Sequence, residues 1–229
     1  MRAHLAKEIG NLQRLVSELA AEVEEAVRKA VTAARERDGD AARQLIAHDD
    51  VIDQHEVAIE EECLKILALH QPVAGDLRYI ITFLKVNGEL ERIGDLAAGI
   101  AGCAVSMAED AGRPELLFDF GPLVSLVRQM LKRALDALVA RNCLEASEVI
   151  RDDRTVDKLS GEICGRAVAE MQKQPGLAGC CTDVILIARQ LERIGDCTTN
   201  ICEDVVYLEL GKIIRHGGLD PHRQPEIPE

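Results

Sequence analysis

The hexapeptide Leu-Glu-Arg-Ile-Gly-Asp occurs twice, letter for letter, at residues 90–95 and 191–196, an offset of 191 − 90 = 101. Gln71-Pro72 recurs as Gln174-Pro175 at 174 − 71 = 103, and Asp49-x-x-x-Asp53 recurs as Asp153-x-x-x-Asp157 at 153 − 49 = 104. Three features in one order at nearly one spacing mark an internal duplication. The chain must therefore fold as one unit of about a hundred residues built twice.

Each unit reads as three helices. Leu5, Ile9, Leu12, Val16, Leu19, Val23, Val27, Ala30 and Ala34 recur at three- and four-residue steps with charges between them, the pattern of one buried helix face. Asp38-Gly39-Asp40 ends that helix, with Gly39 expected in the left-handed C-cap and Asp40 capping the next helix. A second helix is expected over 41–69, broken by Gln71-Pro72, and a third over 73–110, closed by Gly112-Arg113-Pro114. The second unit repeats the plan with helices from Pro122 to near Arg141, from an Asn142 cap to 174, and over 177–214. The expected organisation is a first three-helix repeat at 1–112, a second at 113–216 and a disordered Pro/Gly-rich tail at 217–229. The fold class is all-α: two pseudo-symmetric antiparallel three-helix bundles packed side by side. Aromatics at 2%, with no Trp, agree with a core of Leu, Ile, Val and Ala packed helix on helix.

A formal charge of −13 and the lack of a basic run argue against nucleic acid as a partner and favour cations or basic protein surfaces. No stretch is apolar for the ~18 residues a membrane span needs, and the first residues lack the apolar core of a signal peptide, so a cytoplasmic location is expected. The eight cysteines form no Cys-x-x-Cys pair and read as small apolar fillers, with the adjacent Cys180 and Cys181 standing near a loop as the candidate reactive thiols.

The candidate site residues are acidic. Asp49/Asp53 and Glu91/Asp95 in the first repeat, and Asp153/Asp157 and Glu192/Asp196 in the second, are pairs at i, i+4. That spacing puts both members on one helix face, where like charges cost ~0.2–0.5 kcal/mol per pair. From Asp53 to Gln71 is 18 residues and from Pro72 to Glu91 is 19; the corresponding runs in the second repeat are both 17. Antiparallel neighbours joined at that break thus bring the two pairs to one height, at ~1.5 Å per residue. Four converging carboxylates make an all-oxygen site for Mg, Mn, Ca or oxidised iron. The plain alternative is a solvated acidic face.

Gly94 and Gly195 stand between the paired acids, where glycine costs ~1 kcal/mol relative to alanine, so either close helix packing or room for a ligand explains them. Arg92 and Arg193 read as ion-pair residues rather than ligands, and Asp50, Glu56, Glu60, Asn200 and Glu203 extend the acidic faces. The six histidines form no paired motif, there is no Glu-x-x-His, and no P-loop, nucleophile elbow or His-Glu-x-x-His occurs, so the chain is expected not to be an enzyme.

Residues 84–101 (LKVNGELERIGDLAAGIA), 189–212 (RQLERIGDCTTNICEDVVYLELGK) and 71–78 (QPVAGDLR) resemble the signature segments of the PhoU family, and the likeness runs over nearly the whole chain. Where that family often has His after the motif aspartate, this chain has Leu96 and Cys197. The resemblance implies PhoU-like bundles whose acidic motifs hold metal ions, divalent or trivalent and multinuclear, of iron, zinc, manganese or magnesium. It implies negative regulation of the phosphate-starvation genes as an adaptor between the phosphate ABC transporter ATPase and a sensor histidine kinase. It also implies a homodimer that reaches the membrane only through those partners. The alternatives are a carboxylate-bridged metal store or redox protein, or a metal-free helical interaction module.

Overall fold

The computed structural model describes residues 2–109 and 119–213. The expected closing turn at Gly112-Arg113-Pro114 and the expected tail lie outside the described residues. The elements are α1 (Arg2–Glu36), α2 (Gly39–His70), α3 (Ala74–Glu109), α4 (Gly121–Ala140), α5 (Cys143–Lys173), a 3-10 turn (Pro175–Leu177) and α6 (Ala178–Leu210). Helices α1, α2 and α3 pack on one another, as do α4, α5 and α6. The two bundles join through α3 on α6, with α1 on α4 beside them, so α2 and α5 form the outer edges.

The duplication is visible in what each helix buries. On α2 the buried face includes Ala42, Leu45, Ile52, Ile59 and Cys63; on α5 it includes Ala146, Val149, Val156, Ile163 and Ala167. These sets coincide at an offset of 104, so one face was copied and kept. The join between repeats has the matching pseudo-twofold. Asn200 Nδ2 donates to Glu89 Oε1 across α3 and α6 at 3.1 Å. The mirror pair is Gln190 and Gly99, where the Gln190 amide lies against the Gly99 backbone, 2.6 Å from where a Cβ would stand. Below them the core is aliphatic, with Leu19, Ile59, Ile80, Ile93, Leu131 and Ile194 buried. The aromatic contribution is a Tyr79–Phe83 stack at 4.4 Å, capped by the Arg141 guanidinium 4.7 Å from the Tyr79 ring centre.

The helix ends follow backbone chemistry, with corrections to the expected caps. The left-handed residue closing α1 is Arg37 (φ 53), not Gly39, and the cap of α2 is Asp38, whose side chain accepts from Ala41 N, not Asp40. Asp38 N donates to Ala33 O at 2.9 Å, the six-to-one bond of a Schellman end. Gly39 is needed for a different reason: a Cβ there would stand 3.1 Å from Ala108 Cβ, so it lets α2 approach α3. The second repeat makes the same turn 104 residues later, with Arg141 at φ 52 and Asn142 accepting from Glu145 N, as expected for Asn142. Helix α6 stops at Leu210, four residues before the expected end, because Gly211 turns left-handed (φ 65) and donates to Tyr207 O. At the Gln-Pro breaks the repeats differ: Gln71 is left-handed (φ 44), whereas Pro175 begins a 3-10 turn.

Candidate metal centre

Helices α2 and α3 run antiparallel from the Gln71-Pro72 break, and α5 and α6 from Gln174-Pro175. Glycine sets how close each pair comes. A Cβ on Gly94 would lie 3.0 Å from Ile52 Cγ2 and 3.4 Å from Asp49 Oδ1; one on Gly195 would lie 3.1 Å from Asp153 Oδ1 and 3.2 Å from Val156 Cγ1. Both glycines thus serve close packing, each admitting an aliphatic side chain, Ile52 or Val156, together with the aspartate one turn before it. This places Asp49 against the Glu91/Asp95 turn and Asp153 against the Glu192/Asp196 turn, the register expected from the helix lengths.

The eight acids form two sets. Burial pushes the Asp49 carboxyl up to about 6, aided by the negative charges of Asp95, Asp53 and Asp50. Glu91 is raised by burial, then by Asp95, Asp53, Glu56 and Asp49. Burial likewise lifts Asp153 to about 6, with Asp157, Asp196 and Glu192 adding to it. Asp196 is raised by burial, then by Asp157 and Glu192, against the opposing fields of Arg92 and Arg193. Each set therefore gathers four mutually repelling carboxylates from two helices. Asp53, Asp95, Asp157 and Asp196 are exposed and their partners half-buried, so each set opens to solvent on one side. Asp153 Oδ1 is buried without a hydrogen-bond donor. Such an oxygen is costly unless a proton or a cation meets it. Neither acidic set brings three oxygens within 4.8 Å of one another; among the described residues that closeness occurs elsewhere, in His4, Glu8 and His70.

The two sets are not equivalent. In the second, Glu192 Oε2 accepts from Ser160 Oγ at 2.7 Å and from Arg189 Nη1 at 2.6 Å. The repeat offsets put Glu56 and Gly88 at the matching positions of the first set. Glu56 is itself raised, by burial and then by Glu60 and Asp53, and Asn87 Nδ2 donates to both its carbonyl and its carboxylate. The first set is thus more negative and the second partly neutralised from within. Sequence patterning marks Glu56 and Glu60 as extensions of the acidic face but carries no local signal for Ser160, Arg189 or Asn87. The signal for Ser160 and Arg189 lies in the duplication itself, as the Glu-to-Ser and Gly-to-Arg exchanges between equivalent positions.

Asn200 does not join a carboxylate set: it spends its amide on Glu89. Cys180 and Cys181 are buried in the first turn of α6, 7% and 1% exposed, which removes the loop setting expected for a reactive thiol. All eight cysteines are free, and burial pushes Cys63 and Cys197 up to about 12 and Cys103 to about 11, away from the thiolate.

The PhoU domain family model matches this chain twice, at residues 16–104 and 122–205. The chain belongs to the PhoU family. A phosphate-specific transport system accessory protein PhoU homolog from Pseudomonas aeruginosa is 39% identical over 197 residues, 86% of this chain and 81% of the relative. PhoU of Escherichia coli (strain K12), a phosphate-specific transport system accessory protein, is 34% identical over 213 residues, 93% and 88% of the two chains. The crystal structure of PhoU from Pseudomonas aeruginosa superposes with a TM-score of 0.86 at 35% identity, over 90% of this chain and 99% of that one. That of the phosphate transport system regulatory protein PhoU from Streptococcus pneumoniae gives 0.85 at 29%, over 93% and 100%. Membership in PhoU makes this a regulatory accessory protein of phosphate transport rather than an enzyme. No described helix is long and apolar enough to cross a membrane.

Proposed function

We propose that this PhoU-family chain is a cytoplasmic, metal-binding adaptor that represses the phosphate-starvation genes when phosphate is plentiful. It acts as a homodimer on the ATPase of the phosphate ABC transporter and on the sensor kinase. The observation that carries the metal part is the pairing of carboxylates from opposed helices over Gly94 and Gly195, with Asp153 Oδ1 buried and without a donor. Asp49, Asp53, Glu91 and Asp95 would hold cations in the first repeat, and Asp153, Asp157, Glu192 and Asp196 in the second. The donor set is all oxygen, which suits Mg, Mn or ferric iron better than zinc. A bound cation supplies the positive charge that both sets lack and ties α2 to α3 and α5 to α6. The partner-facing surface then depends on the relative tilt of those helices. The relatives' names, accessory proteins of the phosphate-specific transport system, support the adaptor reading.

The test pairs elemental analysis of gently purified protein with a phosphate-regulated reporter. Bound Mg, Mn or iron that disappears only when both sets are altered, in a variant carrying Asp49→Asn, Asp53→Asn and Asp95→Asn with Asp153→Asn, Asp157→Asn and Asp196→Asn, together with derepression in high phosphate, supports the proposal. Metal-free protein that still represses and still captures the transporter ATPase leaves a helical interaction module and overturns the metal part.

A further inference from the structure

His4 and Glu8 lie one turn apart on α1, on one face, and His70 is the last residue of α2. Each offers a donor atom, and these atoms all lie within 4.8 Å of one another. The two imidazole rings meet edge to face with centres 5.7 Å apart. His4 Nε2 stands 3.5 Å from Glu8 Oε1, too long for a strong hydrogen bond. Donors held about 2.0–2.1 Å from a tetrahedral zinc ion are about 3.3–3.4 Å apart, so this separation already matches one edge of such a site. His70 Nε2 and Glu8 Oε2 are both buried and have no hydrogen-bond partner. Lys65, a competing cation, stands 3.5 Å from Glu8 Oε2 but donates to both oxygens of Glu62, at 2.9 and 3.0 Å. Its ammonium is half exposed and can stay on Glu62.

We propose that His4, Glu8 and His70 form a zinc site, separate from the acidic sets and of a different chemical class. Two imidazoles and one carboxylate are a borderline donor set, suited to Zn²⁺ and its late-transition-metal neighbours rather than to Mg²⁺ or Ca²⁺. Three protein ligands leave one position for water, on the side where His4 is exposed. The site clasps the first turns of α1 to the last turn of α2, beside the left-handed Gln71 that opens the link to α3. Zinc there holds the end of the first bundle closed and stabilises it by mass action.

The experiment uses the full chain in a background with Asp53, Asp95, Asp157 and Asp196 replaced by Asn, which strips each acidic set of two of its four carboxylates and leaves the two histidine substitutions to report on this site alone. Zinc affinity is measured by chelator competition and coordination by the visible spectrum of the Co²⁺ form. One zinc per chain is expected, with the intense bands of four-coordinate cobalt. His4→Ala and His70→Ala are each expected to weaken binding by at least the about 10–100-fold typical for loss of an outer-sphere partner. His4→Gln and His70→Gln serve as second variants, and far-ultraviolet circular dichroism checks the fold of each. Absence of zinc binding in the background protein overturns the proposal. So does affinity that survives both histidine substitutions, or a cobalt spectrum with only the faint bands of an all-oxygen octahedron.

Discussion

Ser160 donates a hydrogen bond to Glu192 at 2.7 Å, at the position where the first repeat instead places the carboxylate Glu56 beside Glu91. One exchange in a duplicated helix thus separates a set that holds part of its own counter-charge from one that does not. Arg189, which stands where the first repeat has Gly88, sharpens the difference by bonding the same Glu192 oxygen.

The two sets should therefore differ in cation affinity. Arg189→Ala is expected to raise Mn²⁺ affinity at the second set by up to about fivefold, since an exposed ion pair contributes at most ~1 kcal/mol. Glu56→Ser is expected to lower affinity at the first set. Isothermal titration of each variant against the parent chain checks both directions.

Glycine substitutions in α3 separate packing from propensity. Gly94→Ala would drive a methyl to 3.0 Å from Ile52 Cγ2 and 3.4 Å from Asp49 Oδ1. The expected cost is about 1–3 kcal/mol, the range for overpacking, partly offset by the helix preference of alanine. Gly88→Ala and Gly102→Ala meet nothing within 4 Å and are expected to stabilise by up to ~1 kcal/mol. Thermal melts of the three variants give opposite signs for Gly94 and its controls.

Acid should help the metal-free protein before it harms it. Asp49 and Asp153 titrate near 6 in the fold, against 3.8 for an unperturbed aspartate. Between those values the native state holds protons that the unfolded chain has released, so stability falls as pH rises through this window. The penalty is fully present above about 6 and gone below 3.8. Metal-free protein is expected to melt at a higher temperature at pH 5.5 than at pH 7.5. A double Asp49→Asn, Asp153→Asn variant should lose most of that difference, and saturating Mn²⁺ should reverse it.

The seam between repeats depends on Glu89 and Asn200. Asn200→Ala removes the amide that donates to Glu89 Oε1 within the α3–α6 join and is expected to cost about 1–3 kcal/mol. Gln190 at the mirror position has its Oε1 buried without a partner, so Gln190→Met, similar in volume and free of that polar group, is expected to be neutral or mildly stabilising. Denaturant titrations of the two variants test the contrast.

By itself the sequence determined the duplication, the helices and the meeting of Asp49 with the Glu91/Asp95 turn. Those follow from local rules: apolar residues at three- and four-residue steps, proline ending a helix, and a constant rise per residue that converts equal run lengths into equal heights. Cap positions were less legible, because Arg37 adopts a left-handed φ although Gly39 was available, and Gly39 is reserved for the approach of Ala108. Local preference points to the glycine; packing against a distant helix overrides it. Tertiary structure alone decided the rest. It paired Glu89 with Asn200, put Ser160 on Glu192, and brought His70 to the His4/Glu8 turn, from 66 residues further along the chain than His4. Contacts between residues far apart in the chain carry no signature in a local period, because they are set by which faces the helices bury against each other.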